Sequence, residues 1–138
     1  MNKTALLMLL AATVFFAACG PSYVPPANNA TNKGPVKPKK DYSADYNRES
    51  QAAVAAQNKY KGSQSDEDIV EWMVRVYNSL KYVNLHRKEN GEDSTKSWSQ
   101  LGRITEMRAD FKSIAATAKA SENSKVKAAK HEWEQSTN

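Results

Sequence analysis

The clearest pattern in the chain is an apolar stripe with helical spacing between residues 65 and 89. Its members recur at alternating intervals of four and three, which is the period of one face of an α-helix. The stripe consists of Ile69, Met73, Val76, Leu80 and Val83. Ser65 and Asp68 stand just before it at the spacing of a capping box, so we expect a helix that begins there and ends near Glu89.

Further apolar side chains widen this face, so the helix needs cover on more than one side. Three of its aromatic residues, Trp72, Tyr77 and Tyr82, point to different sides. An uncovered aromatic cluster is typical of a partner-binding surface, whereas covered rings complete a core. We therefore treat all three as candidate partner-binding residues. The core is the ordinary interpretation for Trp72 and Tyr77, and Tyr82 is expected to be exposed.

Two more helices are predicted around the first pattern. One spans about Ser43 to Lys61, with Gly62 suited to a left-handed position after its last turn. Its inward face contains Tyr46, Ala53, Ala56 and Tyr60.

The other predicted helix begins at Ser97, which forms a second capping box with Gln100. Its stripe contains Ile104, Met107, Phe111, Ile114 and Ala118. We expect this helix to pair antiparallel with the one before it, and the helix near the linker to lie in the groove between them. The fold class is therefore all-α, a small three-helix bundle over residues 43–120.

Residues 121–138 are polar apart from one weak amphipathic face, and they form either a frayed extension or a short fourth helix. Trp133 lies among charged residues there, where a large apolar side chain has no obvious core to join. We expect it to dock either on the bundle or on another protein, and it is the fourth partner-binding candidate.

Composition changes sharply before the helices. All five prolines fall between residues 21 and 38, mixed with small and polar residues. Such a segment buries too little apolar surface to offset its ordering, so residues 19–42 are expected to form a disordered linker. In polyproline II conformation residues 20–41 would reach on the order of 60 to 70 Å, at about 3.1 Å per residue.

The first residues have the composition of a secretory signal: a positive charge at Lys3, an apolar stretch, and small residues at Ala17 and Ala18. The apolar stretch is shorter than the roughly 20 residues that a membrane-spanning helix needs. The quartet Phe16-Ala17-Ala18-Cys19 resembles the lipobox of bacterial lipoproteins. The alternative is an ordinary cleaved signal in which Cys19 is incidental.

The resemblance implies removal of residues 1–18 by cleavage between Ala18 and Cys19, and attachment of a covalent lipid, such as palmitate, to Cys19. It covers only residues 1–20. Gly20 follows the cysteine where a retained inner-membrane lipoprotein has Asp, so the resemblance favours the outer membrane in a Gram-negative host. In a Gram-positive host it implies the extracytoplasmic face of the plasma membrane.

The net charge of +5 comes from residues that precede the predicted bundle. Five of the 20 basic residues lie before residue 41, whereas residues 41–138 contain the other 15 basic residues and all 15 acidic residues, so this part of the chain is neutral. This balance, together with export, argues against nucleic acid as a partner. Lysines in the linker either contact anionic surfaces or keep the linker solvated.

Residues typical of catalysis or metal binding are sparse. His86 and His131 are far apart in the sequence, and the single cysteine is assigned to the lipid, so we expect no metal and no cofactor. Neighbouring carboxylates such as Asp66 and Asp68 are more typical of a helix cap than of acid-base catalysis. An envelope hydrolase using carboxylates is therefore the further alternative.

Together these patterns predict a lipid-anchored envelope protein that acts by binding rather than by catalysis. The partner is an envelope protein or a second copy of the chain, with an accessory or assembly role. The alternative is an inhibitor or exclusion-type module carried by a mobile element.

Overall fold

The computed structural model describes residues 35–138, which form five α-helices and contain no strand. The helices are α1 (Ser43–Ser63), α2 (Asp66–Asn90), α3 (Leu101–Asp110), α4 (Ala115–Ala120) and α5 (Ser124–Ser136), with a 3-10 helix (Glu92–Thr95) between α2 and α3. The predicted all-α class and small helical bundle are confirmed. The predicted signal, Cys19 and the linker up to residue 34 lie outside the described residues. None of the helices in residues 35–138 is long and apolar enough to cross a membrane.

Helix α2 is the centre of the bundle, and every other helix contacts it, α1 and α5 most extensively. All five residues of its predicted stripe are buried, with at most 9% of each side chain exposed. At its start, the hydroxyl of Ser65 accepts a hydrogen bond from the backbone N–H of Asp68 at 3.2 Å. The predicted cap, the predicted face and the need for cover on more than one side are all confirmed.

Helix α1 buries the predicted face of two tyrosines and two alanines, and the small alanines let it pack closely against α2. The expected role of Gly62 is wrong, because Gly62 lies inside the helix and Gln64 adopts the left-handed conformation, with φ 53°. The hydroxyl of Ser63 accepts from the N–H of Ser65 at 3.2 Å and donates to the carboxylate of Asp68. These bonds hold Ser63 at the helix end, which moves the turn two residues beyond Gly62.

The predicted start of the third helix is wrong as well. Ser97 lies in a turn, and α3 begins at Leu101 after Gln100, which has a positive φ of 65° and makes no side-chain capping bond. The first three residues of the predicted apolar stripe are nevertheless buried, namely Ile104, Met107 and Phe111.

The predicted third helix is also interrupted, since a turn at residues 111–114 separates α3 from α4. Hydroxyl groups accompany this break. Ser113 Oγ donates to the carbonyl of Asp110 at 2.7 Å, and Thr117 Oγ1 donates to the carbonyls of Phe111 and Ile114. Such side chains satisfy carbonyls that a continuous helix would use, and so compete with it. Ala118, expected on the buried stripe, is exposed.

The polar tail forms a full helix, α5, which packs on α2 more extensively than either α3 or α4 does. Asn123 caps it by accepting from the N–H of Lys125 at 2.9 Å, and Val126 and Ala129 face the core. The ammonium of Lys81 pairs with Glu132 at 2.7 Å along this contact. Helix α1 packs mainly on α2 and less on α3, so it occupies the expected groove between the second and third helices only in part.

Candidate functional site

The structure brings together two of the four candidate aromatic residues, Tyr77 of α2 and Trp133 of α5. Their ring centroids are 5.5 Å apart, with 30° between the ring planes. Tyr77 is 8% exposed, whereas Trp133 is only partly buried. Trp133 thus docks on the bundle, as one of the two expectations had it, and still presents part of its indole to solvent.

These two rings line an open groove of about 530 Å³ between α2, the segment from α3 to α4, and α5. We call it the Trp133 groove. Its apolar lining includes Met73, Tyr77, Phe111, Ile114 and Trp133. The charged side chains at its edge are Arg108, Lys112, Lys130 and Glu134. Aromatic and Arg side chains are the residue types most enriched at the energetic centres of protein interfaces.

The turn at residues 111–114 builds one side of this groove. Phe111 places its ring 6.0 Å from that of Tyr77, and its edge meets Trp72 at 5.1 Å and 82°. Ile114 is partly buried at the end of the turn. Because α3 ends at Asp110, Phe111 and Ile114 lie in a turn and line the groove. In a continuous helix both side chains would lie on one straight face.

The electrostatics of the groove are dominated by cations. The guanidinium of Arg108 lies 5.0 Å from the centre of the Trp133 ring, in cation–π geometry. Burial raises the pKa of Tyr77, and the nearby carboxylate of Glu134 adds to the rise while Arg108 opposes it. The phenol is therefore neutral at pH 7 and acts as a hydrogen-bonding, apolar surface rather than as an anion.

Trp72 and Tyr82 lie elsewhere. Trp72 is 2% exposed and packs between Tyr60 and Phe111, so it belongs to the core beneath the groove. Its Nε1 is buried without a hydrogen-bond partner among the described residues. Tyr82 is partly buried and packs against Tyr42, 6.2 Å away between ring centroids, near the start of α1.

The sequence pattern assigned no structural role to His86, which is buried in the structure. His86 is 9% exposed and lies against Trp98, with 4.6 Å between ring centroids. The burial of His86 could have been predicted from the sequence, because His86 follows Val83 by three residues and so continues the buried stripe of α2.

A second groove, of about 740 Å³, lies beside the start of α2 and the turn before α5. It is the larger of the two, but its charged side chains are largely paired with one another. Lys119 bonds to Asp66, and Arg75 lies 3.5 Å from Glu71. Its apolar lining is aliphatic, with Val70 and Val74. The Trp133 groove is the better candidate because it combines partly exposed aromatic surface with cations.

Within residues 35–138, no group of three or more His, Cys, Asp or Glu side chains has a geometry that could hold a metal ion. The lining of the Trp133 groove offers aromatic stacking, apolar contact and charge, which suit binding. Comparison with protein-family models, with curated proteins and with solved structures finds no match to this chain.

Proposed function

We propose that this chain is a lipid-anchored protein of the bacterial envelope that binds a partner protein without catalysing a reaction, as an accessory or assembly factor. Support for the anchor comes from the lipobox-like quartet that ends at Cys19 and from the proline-rich segment after it. A covalent lipid contributes about 0.8 kcal/mol per buried methylene, so two or more chains hold a protein firmly on a bilayer.

The observation that carries the binding function is the partly exposed indole of Trp133 in an open groove beside Tyr77, with Arg108 over the ring. Large aromatic side chains that are fixed by packing lose little entropy when a partner covers them. Hot spots at interfaces are built from such rings and from Arg. The Trp133 groove is therefore the surface through which we propose that the partner binds.

The predicted linker gives this binding surface its working range. A chain of residues 20–41 in extended conformation would let the bundle act on partners up to several tens of Å from the lipid, at about 3.1 Å per residue. Attachment also raises the local concentration of the groove for partners in the same membrane. Weak individual contacts in the groove would then suffice for capture.

Site-specific crosslinking in intact cells tests the proposal. A photoreactive amino acid replaces Ala118, which is exposed and lines the Trp133 groove, and separately Ala55, an exposed alanine on α1 outside the groove. We expect one discrete crosslinked protein from position 118 and none from position 55. Equal crosslinking from both positions, or none from position 118, would overturn the groove as the binding surface.

The anchor has its own test. Metabolic labelling with a radioactive fatty acid should mark the wild-type protein and should be lost in Cys19→Ser. Unchanged labelling of the variant would show that the lipid is not on Cys19. Identification of the crosslinked protein separates an assembly role from an inhibitor role, since an inhibitor would reduce the activity of the protein that it captures.

A further inference from the structure

We infer that the Trp133 groove takes an acidic, apolar segment of a partner protein, in which an aliphatic or aromatic side chain is flanked by carboxylates. This inference rests on the proposed function and specifies the chemistry of the partner. It follows from the apolar lining of the groove and from the charge at its edge.

The lining fixes the apolar part of the partner segment. Tyr77 and Phe111 are nearly covered within the bundle, while Ile114 and Trp133 keep exposed surface. An aliphatic or aromatic side chain placed between Ile114 and Trp133 would cover apolar area that now faces water. Removal of such area from water favours association, before the costs of association are subtracted.

The edge of the groove fixes the charge. Arg108, Lys112 and Lys130 line it together with a single carboxylate, Glu134. Neither Arg108 nor Lys112 has an ion-pair partner among the described residues, and Lys130 lies 3.7 Å from Glu134. By contrast, two of the three cations that line the second groove are paired with carboxylates of the same groove, Lys119 with Asp66 and Arg75 with Glu71. The Trp133 groove therefore carries excess positive charge that an acidic segment would complement.

The arrangement favours a polypeptide over an anionic lipid headgroup. Arg108 and Lys112 are carried by α3 and the turn after it, whereas Lys130 is carried by α5. Carboxylates spaced along a chain can meet cations on separate elements, while one phosphate group needs them to converge on a point. The apolar surface between the cations suits side chains that alternate with those carboxylates.

The first test identifies the peptide of the partner that is crosslinked from position 118 in intact cells, by mass spectrometry. We expect at least two Asp or Glu residues within about four positions of an apolar side chain, which is one turn of a helix. A crosslinked partner whose captured segment lacks acidic residues would overturn this inference and leave the proposed function standing. Absence of any partner at position 118 would remove both.

The second test measures charge dependence with the full-length protein in detergent. Peptides are selected from a random display library, and the best is measured against the wild type and against Lys112→Glu combined with Lys130→Glu. We expect Asp- and Glu-rich peptides whose affinity falls on the order of tenfold in the variant and further at high salt.

The matched control is Lys61→Glu combined with Lys88→Glu, which makes the same charge change at exposed lysines outside the groove. The affinity of this control variant for the peptide should stay within about twofold of the wild-type affinity, because salt screens the effect of surface charges that lie far from the groove. Peptides without acidic enrichment, equal losses in both variants, or binding only to phosphatidylglycerol vesicles through Lys112 and Lys130 would each contradict the inference.

Discussion

The backbone N–H of Tyr42 donates a hydrogen bond to Nδ1 of His86 at 3.2 Å and so joins the residue before α1 to the last turns of α2. A second bond supports the first, from the side-chain amide of Asn90 to the carbonyl of Lys40 at 3.0 Å. Residues 40–42 belong to the predicted linker, and at this point it is held on the bundle. We call Lys40, Tyr42, His86 and Asn90 the linker junction.

Replacement of His86 should loosen this junction. In His86→Ala the N–H of Tyr42 loses its acceptor, so we expect faster hydrogen exchange at the Tyr42 amide and a loss of about 1 to 2 kcal/mol in the free energy of unfolding. Amide exchange followed by NMR, together with urea denaturation, measures both effects. His131→Ala is the matched control because His131 is exposed on α5. Equal exchange at Tyr42 in both variants would show that the junction does not depend on His86.

Stability should fall in acid because of Asp68. The ammonium of Lys59, 2.6 Å away, and the hydroxyl of Ser63 hold the pKa of the Asp68 carboxyl below its ordinary value of 3.8. A lowered folded-state pKa means that the ionised form stabilises the fold. The contribution is complete above the unfolded-state value and is lost as the pH falls from about 3.8 through the folded-state pKa.

Urea midpoints at pH 7 and pH 3 test this contribution. Asp68→Asn should lower the midpoint at pH 7 and should lose less than the wild type between the two pH values. Asp110→Asn is the control, since Asp110 is exposed and makes no ion pair within the described residues. A variant at position 68 that retains the full acid sensitivity of the wild type would rule out Asp68 as its source.

Two serines distinguish the predicted helix starts from the observed ones. Ser65→Ala removes the acceptor for the N–H of Asp68 and should cost about 1 kcal/mol. Ser97→Ala should be nearly neutral, because Ser97 is exposed in a turn and caps no helix. Thermal denaturation of both variants measures the difference. A comparable loss for Ser97→Ala would restore the capping box expected at that position.

Trp133 should stabilise the bundle as well as line the groove. Truncation in Trp133→Ala removes the contact with Tyr77 and the cation–π contact with Arg108, so we expect a loss of about 2 kcal/mol, less than for a fully buried tryptophan. Trp133→Phe keeps an aromatic ring and should lose less than half of that. Urea denaturation gives both values, and a Trp133→Ala variant as stable as the wild type would contradict the docking of α5 through this ring.

The parts of the fold that could be predicted from the sequence depend on strong local signals. Ser65 with Asp68, followed by five apolar residues at helical spacing, identifies the start and the buried face of α2. The interruption of the third helix had no such signal, because neither Gly nor Pro occurs at residues 111–114 and the apolar spacing continues through them. Hydroxyl bonds from Ser113 and Thr117 accompany the break, and such bonds do not show in a pattern of apolar positions.

The candidate site was predictable only in part, for a related reason. Trp133 and Tyr77 were recognised as candidates by residue type, but their meeting across 56 positions depends on how α5 lies along α2. The cations at the groove edge come from two regions of the chain, Arg108 and Lys112 around the end of α3 and Lys130 in α5, so no local motif unites all three. Tertiary packing, rather than sequence proximity, assembles the Trp133 groove.

The linker junction also has a mechanical consequence. A pulling force along the predicted linker would reach the bundle at Tyr42, where α1 starts beside the last turns of α2. Because α1 and α2 are consecutive antiparallel helices, the start of α1 lies beside the end of α2. The load would act at this end of the bundle and would break the hydrogen bonds of Lys40 and Tyr42 one after the other. Opening of these bonds would lengthen the tether by the residues of the junction without breaking the contact between Trp133 and Tyr77.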